Sequence, residues 1–261
     1  MPDEPGQDLL TLEEEATIAS VLAHGEHGAV VRALTRGSGL VAGYVRGGRS
    51  RRLRPVLQPG NRIAGAWRAR VDEQLPALTA ELVRSRALLA MSPFGAAALD
   101  WLTAVVAATL PERQAYPAVH DTLEATLCAL EAGPELDAAA AVACFELLLL
   151  AELGFGLDLG RCAATGAPAA ETELTHVSPR SGGAVSAAAA APWADRLLPL
   201  PAFLIGRGAP SWTSAVAALR LTGFFLERDL LEGRARLPLS ARERLASLID
   251  RRAIREPAAQ P

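Results

Sequence analysis

Short apolar segments separated by glycine-containing turns fill the first third of the chain and predict β-strands. The segments are rich in Val, Leu and Ala, and the glycines between them supply turn positions. Five such strands within about 70 residues favour a small closed barrel over an open sheet, because closure leaves no strand edge unpaired. The predicted strands are 16–23, 29–35, 40–45, 61–71 and 77–83.

From residue 85 onward, the apolar positions recur at the spacing of helices. Ser92 and Pro93 form the cap and first turn of one helix, and Ser211 caps another. The stretch 135–153 is apolar on nearly all sides, which predicts the buried centre of a helical bundle. Ser240 and Glu243 predict a capping box. The five predicted helices cover about 93–110, 119–132, 135–153, 212–226 and 240–255.

Between residues 156 and 208, neither the strand period nor the helix period persists. This stretch is rich in Gly, Pro and Ala. A loop of this length is uncommon in a compact domain. We therefore expect a small irregular subdomain that is inserted between helices of the bundle.

Composition points to a soluble, cytoplasmic chain. Of its 261 residues, 50% are hydrophobic and 21% are charged, which is enough apolar material for a core. The best candidate for a membrane span, 136–153, contains three acids, and the chain starts with acids where a signal peptide is basic. Cys128, Cys144 and Cys162 are odd in number and widely spaced, which fits a reducing compartment without disulfides.

The chain contains no lysine, because all 26 basic residues are arginine. Phosphate loops of the Walker type need a lysine, and so do Schiff-base and pyridoxal-phosphate enzymes. The serine-hydrolase, zinc-protease and dinucleotide-binding motifs are also missing from the sequence. We therefore expect a protein that is not an enzyme.

The net charge of −3 conceals a strongly uneven distribution. Residues 1–26 carry seven acids and no base, whereas residues 27–71 carry ten arginines and no acid. The remaining 72–261 carry 22 acids and 16 arginines. Because a solvated surface usually mixes both signs, the basic block predicts a polyanionic partner for this region.

The densest basic segment is RGGRSRRLR at 46–54, in the connection between two predicted strands. Arginine forks bind phosphates in pairs of hydrogen bonds, and glycines allow a close approach of the backbone. The alternative is a disordered basic turn. In the next strand, alternation places Arg62, Arg68 and Arg70 on one face, and Ile63, Trp67 and Val71 on the other. The candidate nucleic-acid-binding residues are Arg32, Arg36, Tyr44, Arg46, Arg49, Arg51, Arg52, Arg54, Arg62, Arg68 and Arg70.

Four segments, in order along the chain, resemble the RecO family of DNA repair proteins. The most specific is FELLLLAELGFGLDL at 145–159. The others are VRGGRSRRLRPVLQPG at 45–60, VSPRSGG at 177–183 and RLTGFFLE at 220–227. Together they span nearly the whole chain, and the first coincides with the basic segment.

The resemblance implies an α+β multidomain architecture with an N-terminal OB-fold β-barrel, an α-helical bundle and an irregular zinc-finger-like insert. The corresponding domains are 1–84 for the OB-fold, 85–156 and 209–261 for the helices, and 157–208 for the insert. The implied role is non-enzymatic: binding single- and double-stranded DNA, annealing complementary strands and loading RecA onto strands coated by single-strand-binding protein. RecR and the acidic tail of single-strand-binding protein are the implied partners, the tail docking on the helical domain.

The chain departs from the family pattern in two respects. Zinc-binding members carry two CxxC pairs, but the matching positions here are Cys162, Thr165, Ser186 and Ala189. His176 raises the ligand count only to two, so we predict no zinc and no other cofactor. Members often have an arginine before the Phe-Glu pair, where Ala143 and Cys144 stand here. We expect the acidic tail to use other arginines, such as Arg113 or Arg220.

Two other functions fit the same sequence. An RNA- or tRNA-binding barrel would use the same basic groove. A protein-interaction adaptor would direct its basic face to an acidic protein instead, and would have no affinity for nucleic acid at about 0.15 M salt.

Overall fold

The computed structural model describes residues 10–71, 74–231 and 238–255. The first five strands pair in the order β1-β2-β3-β5-β4, and β4 pairs back onto β1, so that the sheet closes into a barrel. All five strands predicted from the sequence are present. Their bounds are Leu10–His24 for β1, Gly28–Thr35 for β2, Gly39–Val45 for β3, Arg62–Ala69 for β4 and Ala77–Arg84 for β5.

The first strand serves two neighbours. Its first half pairs with β4 and its second half pairs with β2, the two pairings overlapping at Ala16 and Thr17. The register with β2 shifts between Ile18 and Ser20. Strand β1 begins at Leu10, six residues before the predicted start. The acidic run at 13–15 does not look like a strand, yet pairing with β4 satisfies its backbone groups.

Side chains from all five strands fill the barrel. Trp67 is 2% exposed, and it packs with Ile18, Val31, Ile63 and Leu78. The predicted alternation along β4 is confirmed, since Arg62 and Arg68 point away from the side on which Ile63 and Trp67 are buried. The prediction for Val71 is wrong: it lies beyond the end of β4 and is 55% exposed, because the strand ends at Ala69.

The helices follow the predicted periodicity closely. The helix that follows Ser211 is capped by this residue, as predicted, through a reciprocal capping box with Ser214. At its end it continues into a short π-helix. Ser240 does not cap the last helix, because that helix begins one residue earlier, and Ser240 lies in its first turn. The bounds are Pro93–Thr109 for α1, Pro117–Ala132 for α2, Glu135–Glu152 for α3, Ala187–Ala190 for α4, Trp212–Phe225 for α5 and Leu239–Arg255 for α6.

A buried ion pair and its hydrogen bonds connect four of these helices. Glu146 of α3 is fully buried and accepts two hydrogen bonds from Arg242 of α6, both at 2.9 Å. The Trp101 Nε1 donates to the same carboxylate at 2.8 Å, and the Thr222 hydroxyl donates to its other oxygen. Gly223 leaves room for the Arg242 guanidinium, since a Cβ there would lie 2.3 Å from Nη1.

The stretch 157–208 contains short elements that the sequence pattern does not reveal. Strand β6 pairs with β7 on one side and β8 on the other, and α4 is a single helical turn. Strands of two to four residues are too short to show a period. Their bounds are Leu174–Val177 for β6, Ala184–Ser186 for β7 and Leu198–Pro199 for β8.

Contacts within the chain divide it into two compact units. One comprises residues 1–92 and 103–121, and the other comprises 93–102 and 122–261. The predicted four-part domain organisation stays a prediction. Within the described residues, no helix is long and apolar enough to cross a membrane.

Candidate nucleic-acid interface

The basic segment 46–54 is anchored in the barrel. Backbone hydrogen bonds from Arg54 to Ser50 and from Leu57 to Leu53, both 2.9 Å, form helical turns within 50–57. Leu57 is 3% exposed and belongs to the barrel core, and Leu53 and Val56 pack against that core. The segment is therefore an ordered basic turn that presents its arginines from a fixed apolar base.

A buried asparagine fixes the end of this segment. The Asn61 Nδ2 donates to the carbonyl oxygens of Pro55 and Val56 at 2.9 and 3.0 Å, while its Oδ1 accepts from the Arg86 backbone N–H. Asn61 is 1% exposed. The anchoring role of Asn61 was not predicted from the sequence, where the apolar spacing Leu53-x₃-Leu57 is the signal that could have indicated the helical turn.

The arginines of the segment are exposed, and the described part of the chain places no carboxylate partner beside them. The Arg49 Nη1 donates to the Glu26 backbone carbonyl at 3.1 Å, which holds the side chain without neutralising it. Among the described residues, no carboxylate forms an ion pair with any of the five. These exposed arginines are Arg46, Arg49, Arg51, Arg52 and Arg54, and we call them the loop arginines.

The arginines of β4 have acidic neighbours on β1. Arg62 lies 2.5 Å from Glu15, and Arg68 lies 3.5 Å from Glu13. These pairs join adjacent antiparallel strands, where side chains on the same face are within reach of one another. The alternation along β4 correctly predicts that these arginines share one face, but it does not predict that the acidic run at 13–15 lies beside that face.

The candidate arginines on β2 and directly after it also pair with acids. Arg32 lies 3.0 Å from Glu112 and donates to the Ala107 carbonyl at 2.5 Å. Arg36 lies 3.0 Å from Asp121. The Arg36 Nε donates a hydrogen bond to the Asp121 carboxylate. This hydrogen bond and the opposite charges raise the pKa of Arg36 and lower the pKa of Asp121, so both stay charged at neutral pH.

The remaining candidates lie near the loop arginines or at the end of β4. Tyr44 is half-buried on β3, where its ring packs edge-on to His24 at 5.8 Å between centroids. Gly28 makes room for that ring, because a Cβ there would lie 2.4 Å from the tyrosine hydroxyl. Arg70 is exposed just beyond β4. The structure thus separates the candidates into unpaired arginines at 46–54 and paired arginines at 32, 36, 62 and 68.

Of the four positions that correspond to zinc ligands, Thr165 and Ser186 place their hydroxyls beside the sulfur of Cys162. Cys162 is fully buried, its sulfur lies 3.4 Å from the Ser186 Oγ, and the Ser186 backbone N–H donates to it at 3.3 Å. Burial raises the pKa of this thiol, but hydrogen bonds with Ser186 and Thr165 lower it, to about 6 overall. One sulfur among serine and threonine hydroxyls does not fit structural zinc, which takes four N or S ligands.

The two arginines suggested for docking an acidic tail have different surroundings. The Arg113 backbone N–H donates to the Leu40 carbonyl at 2.9 Å, and its φ is 59°. Arg220 on α5 is largely exposed and lies 3.6 Å from Asp250 of α6. Together with Val216 and Phe224, Arg220 lines a groove of about 550 Å³ between α5 and α6. In the matched region before Phe145, Ala143 is buried and Cys144 is exposed.

Comparison with known proteins gives concordant matches over most of the chain. Two family models match: "Recombination protein O N terminal" at residues 10–86 and "Recombination protein O C terminal" at residues 92–238. A protein of Rhodospirillum centenum named DNA repair protein RecO is 48% identical over 218 residues, which are 83% of this chain and 86% of that protein. Proteins of the same name from Rhizobium etli and Paracoccus denitrificans are each 45% identical, over 88% and 89% of this chain and 89% and 93% of their own lengths.

Proposed function

The chain belongs to the RecO family of DNA repair proteins, and from this premise we propose that its barrel is an OB-fold that binds DNA strands through the loop arginines. The observation that supports this most directly is the cluster of five exposed arginines at 46–54, none of which has a carboxylate partner within the described parts of the chain. Guanidinium groups in this state keep their full charge for phosphate. The DNA repair role itself follows from family membership.

Binding through these residues would depend little on base sequence. Contacts to phosphates position a strand without reading its bases, and they release bound counterions, so affinity falls as salt rises. If about six phosphates are neutralised on single strands, the slope of log K against log salt is about −4. The paired arginines at 32, 36, 62 and 68 contribute less, because an acid already balances each of them.

The same charge favours annealing. Two strands repel each other through their phosphates, and a protein that neutralises phosphates while leaving base edges accessible lowers this barrier. We propose that the chain acts in this way without catalysing a chemical step, and that with RecR it helps to load RecA onto strands coated by single-strand-binding protein. These steps are supported by family membership and by the charge of the barrel.

The test is a salt-dependent titration of labelled single-stranded DNA by fluorescence anisotropy. Replacing Arg49, Arg51 and Arg52 by alanine should reduce the magnitude of the slope by about two, at about 0.7 per lost contact. A matched control removes the same charge from α6, with Arg244, Arg251 and Arg255 replaced by alanine. An unchanged slope in the first variant, or an equal change in both, would exclude the segment 46–54 from the binding site.

Competition between DNA and RNA strands separates this proposal from RNA binding by the same barrel. If the barrel is an RNA-binding module, RNA displaces the DNA at a concentration well below that of a DNA competitor. If the basic face is an adaptor for an acidic protein, no strand binds at about 0.15 M salt. A strand-annealing assay with the same variants then tests the second step.

We propose that the acidic tail of single-strand-binding protein docks in the groove between α5 and α6. Arg220 has a long, exposed pair with Asp250 at 3.6 Å, which contributes little, so its guanidinium offers a cation beside the exposed ring of Phe224. This combination suits a peptide with both carboxylates and an apolar side chain. Arg220→Ala should weaken binding of a peptide that carries this tail, measured by calorimetry, while Arg113→Ala should not. The reverse result would place the tail elsewhere.

We propose that the stretch 157–208 is stable without zinc. Hydrogen bonds between Cys162 and Ser186 occupy the place that metal–ligand bonds take in zinc-binding members. Treatment of purified protein with a strong chelator should leave its melting temperature unchanged, and metal analysis should find zinc far below one atom per chain. A melting temperature that falls with chelator and recovers with added zinc would refute this.

A further inference from the structure

The barrel closes between β3 and β5 through one residue pair. Among the described residues, Tyr44 and Ala77 alone pair across these two strands, and Tyr44 also donates its backbone N–H to the Pro76 carbonyl at 2.8 Å. Beyond Ala77, the edge of β5 faces the basic segment instead of another strand. A cleft of about 700 Å³ lies along this edge.

The walls of the cleft are apolar and come from two sides. Leu78, Ala80 and Leu82 alternate along β5 on the side that faces the barrel interior, and all three line the cleft. Leu53 and Val56 line the opposite side from the anchored basic segment. Leu82 is 43% exposed, so this apolar wall is open to a ligand.

The polar lining is asymmetric. Tyr44, Arg46 and Arg52 line the cleft together with the apolar residues, and both arginines lack a carboxylate partner among the described residues. Glu81 is the acidic lining residue, and it also borders the acidic surface formed by Glu13, Glu14 and Glu15. An anionic ligand would therefore place its charge beside the arginines and away from Glu81.

We propose that this cleft takes one unpaired base of a bound strand, while Arg46 and Arg52 bind the flanking phosphates. A nucleotide combines the two properties that the lining requires, a flat apolar ring and adjacent negative charge. The volume lies within the range of about 300–1,000 Å³ that is typical of ligand pockets. This inference rests on the proposed function and adds a base-dependent contact to what is otherwise phosphate binding.

The cleft makes the interface selective for unpaired strands. A base within a duplex is stacked and paired, and extruding it costs a few kcal/mol. A gap, a bulge or a single strand presents its bases without that cost. The loop arginines would thus bind any polyanionic strand, and the cleft would favour strands with at least one free base.

The test compares an oligothymidylate with an oligonucleotide of equal length in which every position is abasic. Both carry the same phosphates, so the difference in affinity isolates the contribution of bases. We expect the oligothymidylate to bind at least about fivefold more tightly, which is the effect of stacking one base. The measurement is fluorescence anisotropy at low salt with the full-length protein.

Two substitutions attribute this difference to the cleft. Ala80→Leu fills the cleft, and Leu82→Ser removes part of its apolar wall; each should lower the affinity for oligothymidylate towards that for the abasic strand, with binding of the abasic strand unchanged. Val83→Ser is the control, since Val83 is similarly exposed on the adjacent position of β5 but does not line the cleft. Because Leu82 is partly exposed, its replacement does not threaten folding.

The outcomes separate this inference from the proposed function. Equal affinity for both strands, or a base-dependent difference that neither cleft variant reduces, would refute the cleft as a base site while leaving phosphate binding intact. An acidic peptide that displaces neither strand but is lost from the Ala80→Leu protein would assign the cleft to a protein partner instead. Failure of the protein to bind either strand would refute the proposed function itself.

Discussion

Arginine serves opposite purposes in the barrel segment 46–54 and at the junction of α3, α5 and α6. The loop arginines are exposed and without carboxylate partners among the described residues. Arg242 is 8% exposed, donates to both oxygens of Glu146, and also donates to the Leu219 carbonyl at 2.5 Å. The same side chain is therefore a ligand-binding group in one region and an internal support in the other.

The difference shows which charges the fold requires. A buried guanidinium must be matched by a carboxylate and by acceptors for its remaining donors, as Arg242 is. A cluster of like charges on the surface instead destabilises the folded chain slightly by repulsion, so its presence points to a ligand. The paired arginines at 32, 36, 62 and 68 are intermediate, being partly exposed and already neutralised.

The largest effect that we predict is on stability, at the buried ion pair. Arg242→Met should lower the free energy of unfolding by about 3–5 kcal/mol, because it leaves the Glu146 carboxylate buried without its cation. Chemical denaturation followed by circular dichroism measures this change. Arg244→Met is the matched control on the same helix: its pair with Asp100 at 3.3 Å is exposed on both sides, and such pairs contribute about 0–1 kcal/mol.

A second substitution identifies the cause of that loss. In the Arg242→Met protein, the further change Glu146→Leu should recover most of the lost stability, because no unpaired charge then stays in the core. If Arg242→Met and Arg244→Met both lower the free energy of unfolding only slightly and by the same amount, the contrast between a structural and a ligand-binding arginine would be wrong.

A smaller effect is expected at Gly39, which supports a paired arginine. Gly39 has φ of 73°, and a Cβ there would lie 1.8 Å from the Gln114 carbonyl oxygen, next to the stretch that carries Glu112. Gly39→Ala should lower the free energy of unfolding by more than the strain of a left-handed backbone alone, which is about 1–2 kcal/mol. It should also move 112–114 away from β3 and weaken the pair between Arg32 and Glu112.

Gly47→Ala provides the comparison for Gly39, because its φ is 65° but nothing lies within 4 Å of the position of a Cβ. The difference between the stability losses of the two variants, measured by thermal denaturation, then gives the contribution of the close approach to Gln114. Equal losses would show that backbone strain alone accounts for the effect of Gly39→Ala.

Local patterns predicted the elements of this fold but not its long-range charge pairing. The alternation in β4 correctly buries Trp67 and exposes Arg68, because side-chain direction along a strand follows from the sequence alone. That Arg32 meets Glu112, 80 residues away, depends on how the chain returns to the barrel. The charge count over 27–71 therefore treated ten arginines as one block, although four of them have acidic partners.

The basic segment 46–54 shows the same limit of local sequence patterns over a shorter distance along the chain. Its arginine content indicates a phosphate site, and the glycines fit a turn. The anchoring of Leu53 and Leu57 in the barrel core, and with it the cleft along β5, requires knowledge of which strand lies opposite. No spacing within 46–61 encodes that neighbour.

Removing paired arginines should affect DNA binding less than removing loop arginines. Replacing Arg62 and Arg68 by alanine deletes two charges that Glu15 and Glu13 already balance. The slope of log K against log salt should then change by less than about one, against about two for the Arg49, Arg51 and Arg52 variant. A change per arginine that is equal in the two variants would show that the strand pairs open when DNA binds.

The smallest effect that we predict is a gain. Glu13→Gln together with Glu15→Gln should remove the ion pairs that these two acids form with Arg68 and Arg62. The affinity for single-stranded DNA should then rise about two- to threefold at low salt, because exposed pairs contribute a few tenths of a kcal/mol each. The control is Glu171→Gln with Glu173→Gln in the stretch 157–208, which changes the net charge by the same amount without altering a barrel residue. If both double variants gain equally, the effect comes from net charge and not from the released arginines. If neither gains, the acidic run at 13–15 does not restrain this face of the barrel. A gain that is confined to the first variant and disappears as salt rises would show that acid pairing on β1 limits the interface to the loop arginines.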